Sequence, residues 1–156
     1  MNRTDVLDLL TILGMRMTAA ADQGSAMLGV TATEARAITC LREHGPLRPS
    51  VVADHLESSP RRMTQVAETL EEKRLITREP DPDDGRAKRL TLTTEGAAIG
   101  EKIATLREAW AHQLFGQLPD REVADVGDIL THLLRALPRT PHGPADARDA
   151  GVGRGG

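Results

Sequence analysis

Apolar positions along this chain recur mostly at three- and four-residue spacing, the signature of helices with one buried face, and change to alternation in a single short region. A first helix is predicted from a cap at Thr4 to about Ala26, with Leu7, Leu10, Leu13, Met17 and Ala21 on one stripe. Gly14 and Gly24 lie inside it. Each weakens a helix interior by roughly 1 kcal/mol relative to Ala, so the helix needs a partner surface. Thr31 and Glu34 have capping-box spacing and open a second helix, with Ala35, Ile38 and Cys40 or Leu41 inward, which stops at His44-Gly45-Pro46. Pro49 to Leu56 reads as a short third helix burying Val52, Ala53 and Leu56. After a turn at Glu57-Ser58, Ser59 caps a fourth helix and Pro60 occupies its first position, where no N–H is needed.

That fourth helix organises the rest. Met63, Val66, Ala67 and Leu70 form its buried stripe, leaving Arg61, Gln65, Glu68 and Glu72 outward with Arg62 and Thr64 at the flanks. Arg pairs bidentately with guanine and Gln with adenine, so this face carries side chains suited to base edges. Two helices joined by a brief turn make a helix-turn-helix. Leu75–Glu79 and Arg89–Thr93 then read as two strands of a hairpin, its tip built from Pro80, Asp81, Pro82, Asp83, Asp84 and Gly85. Beyond Gly85 the tip turns basic, with Arg86, Lys88 and Arg89 suited to phosphates or a minor groove.

Residues 31–96 resemble the winged helix-turn-helix of MarR-type transcriptional regulators, whose wing and exit read D-x-R-x-x-x-L-x-L-T-x-x-G, matched here by Asp84, Arg86, Leu90, Leu92, Thr93 and Gly96. The resemblance implies a mainly α fold with a small β-hairpin wing, and terminal helices that form a dimerisation region. It implies a homodimer binding a palindromic double-stranded operator, the expected sites being Ser59, Arg61, Arg62, Thr64, Gln65, Arg86, Lys88 and Arg89 for DNA and Asp84 as a brace for the wing. It further implies a repressor released by a small-molecule effector bound between the first, second and fifth helices. Two positions depart from the family: Glu57 and Arg74 stand where it favours glycine at a left-handed φ.

The remaining chain fits this organisation. A fifth helix, Glu95 to about Gln117, carries Ile99, Ile103, Leu106, Trp110, Leu114 and Phe115 on one side. Leu118-Pro119-Asp120 breaks it and caps a sixth, whose face is crowded by Val123, Val126, Ile129, Leu130, Leu133, Leu134 and Leu137. That face is more apolar than a lone small core needs, so it points to a second copy of the chain. The expected organisation is 1–30 for an N-terminal dimerisation helix, 31–94 for DNA binding and 95–137 for C-terminal dimerisation helices, with a Pro- and Gly-rich tail over 138–156 expected to be disordered.

Composition narrows the alternatives. The 156 residues suit one domain, and a net charge of −3 shifts the expectation from a broad basic field to local patches: residues 46–94 hold nine Lys or Arg against nine Asp or Glu. With no long apolar run, no basic leader and one cysteine, the chain is expected in the cytoplasm, away from the membrane. No phosphate loop, Gly-x-Ser-x-Gly or paired Cys and His marks an enzyme, and no cofactor or metal site is assigned, because the histidines at 44, 55, 112, 132 and 142 form no H-x-x-x-H pair. The alternatives are a winged helix that binds protein, against which the lack of exposed aromatic anchors counts, and a redox- or metal-responsive regulator of the same fold. Cys40 lies mid-helix among apolar neighbours, a poor setting for a redox sensor.

Overall fold

The computed structural model describes residues 1–139. The tail expectation for 138–156 falls almost entirely outside them. Six helices and a two-stranded antiparallel ribbon run in the order α1 (Arg3–Met27), α2 (Ala32–His44), α3 (Pro49–Leu56), α4 (Pro60–Glu72), β1 (Ile76–Pro80), β2 (Lys88–Leu92), α5 (Thr94–Phe115) and α6 (Asp120–Ala136). In the ribbon Ile76 faces Leu92 and Pro80 faces Lys88. Leu47 adds a single bridge to Leu90, tying the segment before α3 to the wing.

Helix boundaries follow local chemistry. Thr31 and Glu34 cap α2 reciprocally, at 3.1 and 3.0 Å, and the Glu34 carboxylate also receives Lys73 Nζ at 2.7 Å. Three helices end in the paired backbone bonds of a Schellman turn: Gly29 closes α1, Glu57 closes α3 and Arg74 closes α4, all at positive φ. The two family glycines are therefore replaced without a change of turn. Glu57 sits at φ 52° and Arg74 at φ 58°, each holding an L side chain in left-handed space.

Two caps differ from expectation. Asn2, not Thr4, caps α1: its side chain accepts the Thr4 and Asp5 amides at 2.8 and 3.0 Å, while Asp5 reaches back to the Asn2 amide at 2.7 Å. At α6 the cap position is Pro119, which offers no side-chain acceptor, and Asp120 lies inside the first turn. The helix α1 also continues through Gly14 and Gly24 without a break. Strand β1 begins one residue later than predicted and β2 one residue earlier, since pairing is set by the Ile76–Leu92 contact at the base.

A single core lies under the helix-turn-helix. Its fully buried side chains, Ile38, Val52, Met63, Leu70, Ile76 and Leu90, come from α2, α3, α4 and both strands. Helix α5 docks on this core through Ile103 and through two glycines that allow close approach. At Gly96 any Cβ would collide with the Leu75 carbonyl, and at Gly100 it would press on Ile38 and Arg42 at 3.3 and 3.2 Å. The outer helices are different. No residue of α6 is buried, and of α1 only Ser25 is, so Leu7, Ile12 and Leu13 on α1 and Ile129, Leu130 and Leu134 on α6 stand in the open.

Candidate nucleic-acid interface

Helix α4 supplies the centre of the site because its inner and outer faces are cleanly divided. Met63, Ala67 and Leu70 are fully buried, and this fixes Arg61, Arg62, Thr64 and Gln65 on the exposed side. Ser59 Oγ accepts the Arg62 amide at 3.1 Å, so the capping role read for Ser59 is formed. The exposed side chains are not equally free. The Arg62 guanidinium leans onto the start of α2 and donates to Thr33 Oγ1 at 3.2 Å, and the Thr64 hydroxyl donates to the Pro60 carbonyl at 3.0 Å. Among the described residues, the Arg61 and Gln65 side chains form no such bond. On the far end of the helix, Glu71 is occupied by Arg78 at 2.9 Å.

The wing is held from two directions. Asp84 Oδ1 accepts the Arg86 amide at 3.1 Å, and the Ala87 amide closes the turn on the Asp84 carbonyl at 2.9 Å. Asp84 thus satisfies turn amides at the tip; no ion pair joins it to the Arg86 guanidinium among the described residues. A second brace went unseen in the sequence. Buried Asp81 accepts Arg48 Nε at 2.7 Å and the Asp83 amide at 2.8 Å, linking the loop end of the wing to the start of α3. The Arg48 bond, reinforced by the Asp83 amide, holds the Asp81 carboxyl down to about 2. Only a long-range pairing between residues 48 and 81 reveals it, and no local spacing encodes that.

The three basic wing residues divide. Arg86 is exposed at the tip and Lys88 is exposed at the open end of β2, while Arg89 is half-buried. Alternation along β2 puts Lys88 on the same side as buried Leu90 and Arg89 on the other, beside Thr91. The wing-exit motif has a structural basis at each position. Leu90 is core, Leu92 packs against it, and Thr93 caps α5 by accepting the Gly96 amide at 3.0 Å while donating to the Arg74 carbonyl at 2.7 Å. Gly96 is the close-approach position already described.

Beneath the DNA-facing lobe, a cavity of about 550 Å³ lies between α1, α2 and α5, lined among others by Met17, Ala21, Thr39, Ile103, Leu106 and Trp110. One wall of it holds a cluster that H-x-x-x-H spacing does not reveal. Cys40 and His44 are one turn apart on α2, His55 comes from α3, and their candidate ligand atoms lie within 4.8 Å of one another. The usable signal was C-x-x-x-H, which puts both side chains on one helix face. Cys40 itself is buried, and its thiol is pushed above the ordinary range by that burial and then by Glu43, the reverse of a reactive redox cysteine.

A capped helix with a polar outer face, backed by a short helix and followed by a braced basic ribbon, is the architecture of a winged helix-turn-helix DNA-binding transcriptional regulator. The MarR family model matches residues 30–88. Over 108 residues the chain is 32% identical to the HTH-type transcriptional repressor MdtR of Bacillus subtilis (strain 168), covering 69% of this chain and 70% of that protein. The fold is similar to the X-ray structure of YusO from Bacillus subtilis, with a TM-score of 0.63 and 28% identity over 86% of this chain and 95% of the other. It is also similar to MepR of S. aureus in a DNA complex, with a TM-score of 0.76 and 25% identity over 83% of this chain and 94% of the other. The chain belongs to the MarR family of transcriptional regulators. Regulators of this family are DNA-binding homodimers, and the bare apolar faces of α1 and α6 are the kind of surface a second copy covers. Among the described residues no helix is long and apolar enough to cross a membrane.

Proposed function

We propose that this protein is a repressor, not an enzyme, that acts in the cytoplasm as a homodimer on a palindromic operator. Each α4 enters a major groove and each wing tracks the backbone toward the adjacent minor groove. The observation that carries this reading is the outer face of α4, where Arg61 and Gln65 are exposed, uncommitted and adjacent to a capped helix start. Arg61 and Gln65 read base edges, and Arg62 and Thr64 join them once their intramolecular bonds exchange for DNA. Ser59 presents the helix N-terminus to a phosphate, and Arg86, Lys88 and Arg89 neutralise the backbone, with Asp84 bracing the tip. The repressor named among the relatives and the DNA-bound neighbour support this assignment.

Selection of bound duplexes from a random pool tests it directly. The expected product is an inverted repeat with half-site centres about one helical turn apart. Arg61→Ala should then lose about 1–3 kcal/mol at the selected site and relax its base preference. Undiminished discrimination by that variant rules out the base-reading role.

The cavity between α1, α2 and α5 is the proposed effector site. Its size suits a small organic molecule, and apart from the His44 and His55 imidazoles on one wall Trp110 is the one aromatic side chain among the described residues that line it, so aliphatic contacts dominate over stacking. Because α1, α2 and α5 all line it, an occupant would act on the spacing between the dimer region and the DNA-binding lobe.

A further inference from the structure

We propose that Cys40, His44 and His55 form a binding site for a divalent first-row cation of the zinc type, with a fourth coordination position open to the effector cavity. The donor set is one sulfur and two imidazole nitrogens, which suits a borderline ion in tetrahedral geometry and disfavours magnesium or calcium. Typical zinc bond lengths place tetrahedral donors roughly 3.3–3.6 Å apart. The three donors here already fall within 4.8 Å of one another, so closure needs an inward movement of about an ångström, within reach of side-chain rotation.

That movement falls on the side chains best able to make it. His44 and His55 are exposed and stack face to face, with centroids 4.4 Å apart and planes 17° from parallel. Stacked rings cannot both aim a nitrogen at one ion, so one imidazole must turn out of the stack about its side-chain bonds. Cys40 stays fixed in the core. On ligation its Sγ–H proton leaves to solvent and the thiolate binds the cation, which supplies the positive charge that the buried thiol lacks in the ion-free protein.

The ion would join two helices that must move relative to each other if the helix-turn-helix is to be adjusted. Cys40 and His44 belong to α2, whereas His55 is in the last turn of α3, two residues before the left-handed Glu57 that leads to α4. A clamp there restrains α3 and α4 against α2. Occupancy is therefore expected to change operator affinity, a consequence that rests on the DNA-binding reading; ion binding itself does not.

The test is a titration of the purified full-length protein with Co²⁺ alone. The expected result is a thiolate-to-cobalt charge-transfer band together with intense ligand-field bands of tetrahedral cobalt, saturating at one ion per chain and displaced by Zn²⁺. Cys40→Ser should abolish the charge-transfer band. The exposed pair His44→Gln and His55→Gln, which leaves the core intact, should weaken Co²⁺ binding by about tenfold or more while far-ultraviolet circular dichroism is unchanged. Absence of the band in the wild type, or its persistence in the double His variant, overturns the site. Because this readout uses no DNA, its failure leaves the DNA-binding reading standing. Zn²⁺ should also shift operator affinity by about fivefold or more in the wild type and not in the double variant. Full cobalt binding with no such shift overturns the clamp.

Discussion

A methyl group at position 96 would run into the Leu75 carbonyl, and the Thr93 hydroxyl a turn earlier is already committed to both Gly96 and Arg74. The wing exit is thus a sterically closed joint. Gly96→Ala should destabilise the protein by about 1–3 kcal/mol in denaturant unfolding, because backbone, not a flexible side chain, has to yield. Unchanged stability would mean that α5 can slide away from the wing. At the other end of the ribbon, Asp81 is held by Arg48 with its carboxyl near 2, below the usual carboxylate value of about 4 in an unfolded chain. A folded value lower than the unfolded one means that this stabilisation is present above about pH 4 and is lost as pH falls toward 2. Asp81→Asn should lower stability at neutral pH and flatten its dependence on pH over that acid range, as followed by thermal melts. A variant with the wild-type acid profile would deny the Arg48–Asp81 link its role. Residues such as Ser59, Thr31 and Glu34 were legible in the sequence because their bonds lie within a turn. Asp81 was not, since its partner is remote along the chain.

At the scale of elements, helix stops show where sequence and backbone disagree locally. Glu57 and Arg74 adopt the conformation that glycine takes without strain, and each completes the same pair of backbone bonds as Gly29. Glu57→Gly and Arg74→Gly should each stabilise the protein by about 1 kcal/mol, measured as a shift in the urea midpoint at constant slope. A loss of stability at either position would show that the side chain contributes more than its strain costs. All six helices and the hairpin were readable from periodicity, caps and Gly-Pro punctuation, within one or two residues. The errors have a common origin. Asn2 has so little chain before it that Thr4 looks the better cap, and Pro119, three residues beyond the Gly116 that closes α5, opens α6 without the side-chain acceptor that marks most starts. The Cys40, His44 and His55 cluster was half legible, since C-x-x-x-H is a helix-face spacing, but the third member arrives from a neighbouring helix through tertiary packing.

At the scale of the whole molecule, the described chain is one compact lobe with helices left bare on the outside. The core under α2, α3 and α4 is complete, whereas α1 and α6 expose large apolar side chains along much of their length. Burying those faces in a homodimer would give two copies of α4 and two wings a fixed separation. A net charge of −3 is then no obstacle, because binding depends on small basic groups placed at the spacing of the double helix. The measurement that tests this most directly compares the selected operator with a version in which half a helical turn, about 5 base pairs, is inserted between the half-sites. Two chains should bind per operator, and affinity should collapse toward the non-specific level on insertion, since the second α4 then faces the wrong side of the duplex. Equal affinity for both duplexes, or one chain bound per operator, would contradict it.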